Sequence, residues 1–280
     1  MGKISKALDR AGKEISESPA AGTSPPPVEK KPETFTRESL DKAQTHGQWD
    51  ERVLHVLNDT PVFESFRRLR TKILHPDQGE PPRRILITSA VPGEGKSFVC
   101  ANLAIALAQG MEQHALIVDA DLRRPAQSKI FGVSNAKGLR NYLVDNIPLH
   151  TLLIKTGMPK LSLLPSGPPP RNPSELLGGA QMASLLRELS ERYPDRFIII
   201  DSPPEQAVSE TAVLATLVDA IVLVVKWGTS KKSQVVQIVE QLGRDKIIGI
   251  VFNAYQLNEL RQMYEKYYYA YTNKYYDKER

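Results

Sequence analysis

Between the apolar run Ile85–Ser89 and an Ala/Leu-rich stretch reaching about Gln109 lies the octapeptide Ala90-Val-Pro-Gly-Glu-Gly-Lys-Ser97. A strand that turns through glycines into a helix leaves several backbone N–H groups pointing at one spot, with the positive end of the helix dipole behind them. Gly93 and Gly95 let those groups approach phosphate oxygens closely. Lys96 is placed to reach the outer phosphates, and the Ser97 hydroxyl to ligate Mg²⁺. The sequence departs from the GxxxxGK pattern only at its first position, where Ala90 stands for Gly. Alanine tolerates most turn conformations, so the loop is expected to keep its shape. A phosphate-binding corner of this kind requires a strand-loop-helix unit, which directs the chain toward an α/β fold.

The rest of the chain agrees. Short apolar runs recur at Ile85–Ser89, Ala115–Asp119, Leu161–Leu164, Phe197–Asp201, Ala220–Lys226 and Ile247–Asn253, most of them separated by helical stretches. Continuous apolar runs alternating with helices indicate strands buried on both faces of a mostly parallel sheet. Before them, Thr60 is placed to cap a helix that begins at Pro61 and carries an apolar stripe of Val62, Phe66, Leu69 and Ile73. The expected organisation is a doubly wound P-loop domain over residues 49–256, preceded by 1–48 and followed by 257–280. Within 1–48, Ile4, Leu8, Ala11 and Ile15 fall at helical spacing, and the Pro-rich polar stretch 18–34 has the composition of a disordered tether.

Two further strands end in acid: Leu116-Ile-Val-Asp119-Ala-Asp121-Leu-Arg123, and Phe197-Ile-Ile-Ile-Asp201-Ser-Pro-Pro204. Ligands of open α/β sheets bind outside the carboxyl ends of the strands, so Asp119, Asp121 and Asp201 are expected at the phosphate loop. Hard oxygen ligands suit Mg²⁺ there, and a carboxylate can orient or deprotonate a nucleophile.

The formal charge of +5 does not signal nucleic acid. Residues 1–48 carry eight Lys/Arg against seven Asp/Glu, and residues 257–280 five against four, so no region concentrates positive charge. The single Cys100 cannot close an intramolecular disulfide, and the charged opening MGKISKALDR is not a cleavable apolar signal. No apolar run approaches the roughly 20 residues that span a bilayer. The expectation is a cytoplasmic protein that meets membranes only through a partner or a peripheral segment.

The phosphate loop, the DxDxR segment Asp119–Arg123 and the strand ending Asp201-Ser-Pro-Pro together resemble the bacterial tyrosine kinases that regulate polysaccharide export. The resemblance covers about residues 50–280 and implies an ATP- and Mg²⁺-dependent protein-tyrosine kinase. It places the nucleotide on Gly93, Glu94, Gly95, Lys96, Ser97, Phe98 and Arg123. The metal would fall to Ser97, Asp121 and Asp201, and Asp119 would be the base for the tyrosine hydroxyl; Lys96 and the three aspartates form the catalytic set. The partitioning and division-site ATPases are similar, but they carry a second lysine where this chain has Val91. The opening MGKISKALDRA with its Pro-rich tether also resembles a variant found beside exosortase-linked exopolysaccharide systems.

Tyr264, Tyr267, Tyr268, Tyr269, Tyr271, Tyr275 and Tyr276 place seven of the ten tyrosines in the last seventeen residues. Three consecutive tyrosines cannot share one helical face, which favours a flexible acceptor tail over a packed aromatic helix. The family resemblance implies the same, since its members phosphorylate such clusters on themselves. Glu64, Arg67 and Arg70 match the ExxRxxR motif through which relatives assemble into rings, and they would line one side of the first helix. The resemblance further implies a membrane-anchored polysaccharide co-polymerase as activator and a tyrosine phosphatase as antagonist. Two alternatives stay open from the residues alone: a non-kinase ATPase that positions a complex on the membrane, and a nucleotide-dependent module phosphorylated by another kinase.

Overall fold

The computed structural model describes residues 49–53, 61–133, 136–204 and 210–253. The amphipathic segment and tether expected in 1–48, the capping role of Thr60 and the tyrosine cluster all lie outside the described residues.

Seven strands form one sheet: β1 Arg84–Ser89, β2 His114–Asp119, β3 Ile154–Lys155, β4 Leu161–Leu164, β5 Arg196–Asp201, β6 Ala220–Lys226 and β7 Ile247–Asn253. Their spatial order is β3-β4-β2-β5-β1-β6-β7. Every pairing is parallel except β3 with β4. The doubly wound, mostly parallel α/β expectation therefore holds, and six of the strands are those marked by the apolar runs. The two-residue antiparallel β3 was not anticipated.

The alternation of side chains along each strand explains the runs. Leu86, Leu116, Val118, Ile198, Ile200 and Leu223 face one core, whereas Ile85, Ile87, Ile117, Phe197, Ile199 and Val222 face the other. Helices α1 (Pro61–Leu74), α2 (Lys96–Ala108) and α3 (Gln127–Ile130) cover the second face. Helices α4 (Leu139–Asp145), α5 (Pro173–Gly178), α6 (Ala180–Arg192), α7 (Glu210–Thr216) and α8 (Lys232–Leu242) cover the first. A strand covered on both faces buries every side chain, so no polar alternation remains to be read.

Helix α2 is buried from Val99 through Ala108. It lies on the sheet with α1 packed against it, which is why its sequence is apolar all round and rich in alanine. On α1 the fully buried positions are Phe63, Phe66 and Ile73, while Val62 and Leu69 pack at the margin. Phe63 is a core residue that the expected stripe missed.

The helix-face expectation for Glu64, Arg67 and Arg70 needs one correction. Glu64 and Arg67 are exposed and pair at 3.7 Å, but Arg70 turns inward and its Nη1 donates to the Ala106 carbonyl at 3.0 Å. That carbonyl belongs to the last turn of α2, where the helix dipole is negative, so the cation docks α1 onto α2. Burial of Phe66 and Ile73 draws that side of the helix toward the core and takes Arg70 with it.

Candidate active site

Parallel register brings the two acidic strand ends together: Asp119 at the end of β2 is the direct partner of Asp201 at the end of β5, which in turn neighbours Ile87 of β1. Strand β1 then runs into the phosphate loop. One sheet edge therefore presents the loop and the three aspartates as expected.

Within the loop, Gly93 and Gly95 adopt positive φ angles of 82° and 90°. Ala90 is fully buried and is not among the positive-φ residues, so the missing glycine costs the turn nothing. Gly95 caps α2, and a Cβ there would lie 2.0 Å from Asn253 Nδ2. That amide donates to the Glu94 carbonyl at 2.7 Å, so the end of β7 holds the loop from above. Gly95→Ala is expected to lower nucleotide affinity by about tenfold or more, since it adds left-handed strain of about 1–2 kcal/mol and displaces Asn253. Titration with a fluorescent ADP analogue checks this, and an unchanged Kd contradicts it.

Glu94 is fully buried, and its side chain is a brace. Its carboxylate accepts from Val91 N at 3.0 Å, Lys226 N at 3.0 Å and Ser230 Oγ at 2.7 Å. Phe98 sets its ring edge-on to Phe66 with centroids 6.3 Å apart, tying the start of α2 to α1.

Lys96 Nζ lies 3.1 Å from Asp121 Oδ2, and both side chains are nearly buried. Asp121 Oδ1 accepts from Arg124 N at 3.0 Å. In this arrangement Asp121 is the counter-ion of the loop lysine. Asp119 and Asp201 are fully buried. Burial drives the Asp119 carboxyl well above the usual carboxylate range, and the neighbouring Asp201 charge adds to the effect. Burial also raises Asp201, against the Lys96 charge and a hydrogen bond from Gln127. Each carboxylate keeps one buried oxygen, Oδ1, with no hydrogen-bond partner.

Those orphaned oxygens are the observation that a cation at this edge fits. Among the described residues no group of three or more acidic, imidazole or thiol side chains is arranged to hold a metal unaided. Mg²⁺ commonly binds through one or two carboxylates, a hydroxyl and substrate phosphates, so the set Asp201 and Ser97 suits it.

Arg123, which the resemblance places at the nucleotide, is turned toward α5 and α7 in this structure. Its guanidinium pairs with Glu210 at 2.9 Å and donates to Ser174 Oγ at 3.2 Å. Ser174 Oγ also donates to Glu210 Oε1 at 2.8 Å. The segment Asn172-Pro-Ser-Glu-Leu-Leu177 thus docks α5 and α7 onto the DxDxR motif. Gln127 is the site residue that sequence reasoning missed: its backbone N donates to Asp119, and its side chain touches both Asp201 and the Ser97 carbonyl. No pattern in the sequence marks a lone glutamine eight residues after Asp119.

The profile of the CobQ/CobB/MinD/ParA nucleotide binding domain matches residues 85–277. The tyrosine-protein kinase CpsD of Streptococcus agalactiae is 35% identical over 73% of this chain and 87% of its own length. The chain belongs to the bacterial tyrosine kinases. The kinase also resembles the tyrosine-protein kinase ptk of Acinetobacter johnsonii at 33% identity, over 75% of this chain but only 28% of that much longer protein. Among solved structures, the kinase domain of the Escherichia coli tyrosine kinase ETK superposes with a TM-score of 0.67 at 32% identity, covering 78% of this chain and 89% of that one. The nucleotide-binding fold and family expected from the sequence are therefore established for the kinase. No helix among its described residues is long and apolar enough to cross a membrane.

Proposed function

We propose that this chain transfers the terminal phosphoryl group of ATP to tyrosines of its own C-terminal cluster, Tyr264, Tyr267, Tyr268, Tyr269, Tyr271, Tyr275 and Tyr276. The observation that carries the reading is the juxtaposition of a lysine-bearing phosphate loop with two buried carboxylates whose Oδ1 oxygens are unpartnered. ATP supplies the phosphoryl donor and Mg²⁺ the charge neutralisation on its phosphates.

The loop N–H groups, led by Gly93 and Gly95, cradle the phosphates, and Lys96 leaves Asp121 to meet the negative charge on the departing side. Ser97, Asp121 and Asp201 would hold the cation. Asp119 takes the phenol proton as its carboxylate, the form that a cation held at the neighbouring Asp201 would favour. The tyrosine oxygen forms its bond to the terminal phosphorus as the bond to the bridging oxygen breaks and ADP leaves. Positioning and charge carry the reaction, with no covalent enzyme intermediate.

In this reading residues 49–256 are the kinase domain, 257–280 the acceptor tail and 1–48 a tether. Copies assemble into a ring through Glu64 and Arg67, with Arg70 holding the helix that bears them, and each tail enters a neighbour's site. A membrane-anchored polysaccharide co-polymerase activates the kinase at the inner face of the plasma membrane, and a tyrosine phosphatase resets it, in the service of exopolysaccharide export. A chain truncated after Met263 tests the acceptor assignment. Incubated with Mg-ATP it is expected to gain no phosphotyrosine by mass, while the full chain gains several; equal incorporation in both sinks the tail as acceptor.

Each phosphotyrosine adds about −1.5 to −2 charges, so a fully modified tail shifts by roughly −10 to −14. Repulsion between crowded tails is then expected to move the protein from an oligomer to a monomer on size exclusion. Identical elution of phosphorylated and dephosphorylated protein contradicts this.

A further inference from the structure

Gln127, the first residue of α3, is fully buried and makes three polar contacts at the strand ends. Its backbone N–H donates to Asp119 Oδ2 at 3.0 Å. Its side-chain Nε2 donates to Asp201 Oδ2 at 2.8 Å and to the Ser97 carbonyl at 3.0 Å. A primary amide has two N–H hydrogens, and both are used here. One residue thus fastens β2, β5 and the first turn of α2 together.

The consequence lies in the oxygens it leaves alone. On both aspartates Gln127 occupies Oδ2, and on both the buried Oδ1 is without a partner. A carboxylate at a strand end can otherwise rotate about its Cβ–Cγ bond and offer either oxygen. The geometry points to Gln127 as a positioning residue that fixes the orientation of Asp201 and Asp119, so that Oδ1 of Asp201 is presented to the cation and Oδ1 of Asp119 to the tyrosine hydroxyl. Its bond to the Ser97 carbonyl locks the same two carboxylates to the segment that carries the Ser97 hydroxyl, so the metal-binding oxygens move as one unit.

This rests on the site assignment under the proposed function, but its test does not depend on phosphoryl transfer. Gln127→Met keeps the length of the side chain and the backbone N–H while removing the amide donors. Affinity for a fluorescent ADP analogue is measured in EDTA and in Mg²⁺ for wild type and variant, beside thermal midpoints. Wild type is expected to bind more tightly in Mg²⁺. Gln127→Met is expected to lose about tenfold to a hundredfold of that gain, the range found when a residue orienting a metal ligand is removed, while its affinity in EDTA stays within about threefold.

A Mg²⁺ gain equal in the two proteins overturns the inference, as does a fall of the EDTA and Mg²⁺ affinities in parallel, which marks a packing role. Failure of tail phosphorylation in the wild type would instead strike the kinase reading and leave these binding results standing.

Discussion

Lys96→Met is expected to reduce phosphate incorporation into the tail by a factor on the order of 10³ or more, to the limit of detection. A cationic donor aimed at developing phosphate charge contributes about 10² to 10³ in rate by itself. In the proposed mechanism the same side chain also anchors ground-state nucleotide, so the losses compound. The structure adds a second consequence. Lys96 is the ion-pair partner of the nearly buried Asp121, 3.1 Å away, and the methionine leaves that carboxylate with the Arg124 N–H as its remaining hydrogen bond. Removing one partner of a buried pair costs about 3 kcal/mol or more, so the thermal midpoint should fall with the activity. Lys96→Met,Asp121→Asn, which removes both charges, should recover much of the stability and none of the phosphorylation. Recovery of activity in the double variant would mean that Lys96 serves the fold and not the phosphates.

Asp119→Asn is expected to separate activity from stability in opposite directions. Loss of the proposed base is expected to lower kcat by about 10² to 10⁴. Stability moves the other way because burial and the neighbouring Asp201 hold the Asp119 carboxyl well above its ordinary value of 3.8. The native state keeps a proton that the unfolded chain releases. The stabilisation this gives is complete below pH 3.8 and is lost as pH rises through the native value. With Asp201 and Asp121 nearby and Lys96 the compensating cation, the nucleotide-free protein pays this cost at neutral pH. The asparagine, which can still accept from Gln127 N, does not. Denaturation followed across pH 4 to about 8 should show a shallower fall for the variant and a higher midpoint at neutral pH, by ~2–4 °C for each kcal/mol recovered. A variant less stable than wild type at every pH would show that Asp119 is held by stronger partners than Gln127.

Much of this site was legible because its chemistry follows chain order. The phosphate loop, the acid at each strand end and the strand-helix alternation are contiguous signals, and strands β1, β2, β4, β5 and β6, buried on two faces, could only appear as apolar runs. What escaped depends on contacts between distant segments. Strand β3, two residues long, has no periodicity to detect. Gln127 matters because the start of α3 folds back on β2 and β5, and Arg123 meets Glu210 across 87 positions of sequence. Glu94 sits inside a nucleotide-binding motif, yet its side chain braces Val91, Lys226 and Ser230, two of which belong to the far end of β6 and the loop beyond it. Arg70 matches an assembly motif, but one helix turn of burial redirects it to Ala106. Motif matching places residues at the right sheet edge; the partners of each side chain come from the fold.

In the proposed function this chain's own phosphate loop modifies its own tyrosine cluster. The most direct measurement is intact mass followed by peptide mapping of the purified full chain, dephosphorylated and then incubated with Mg-ATP. Successive additions of single phosphates confined to Tyr264 and the tyrosines that follow it are expected. Hydrolysis of ATP with the tail left unmodified, in the presence of an activating membrane-protein segment as well as alone, would contradict it and make the protein a positioning ATPase.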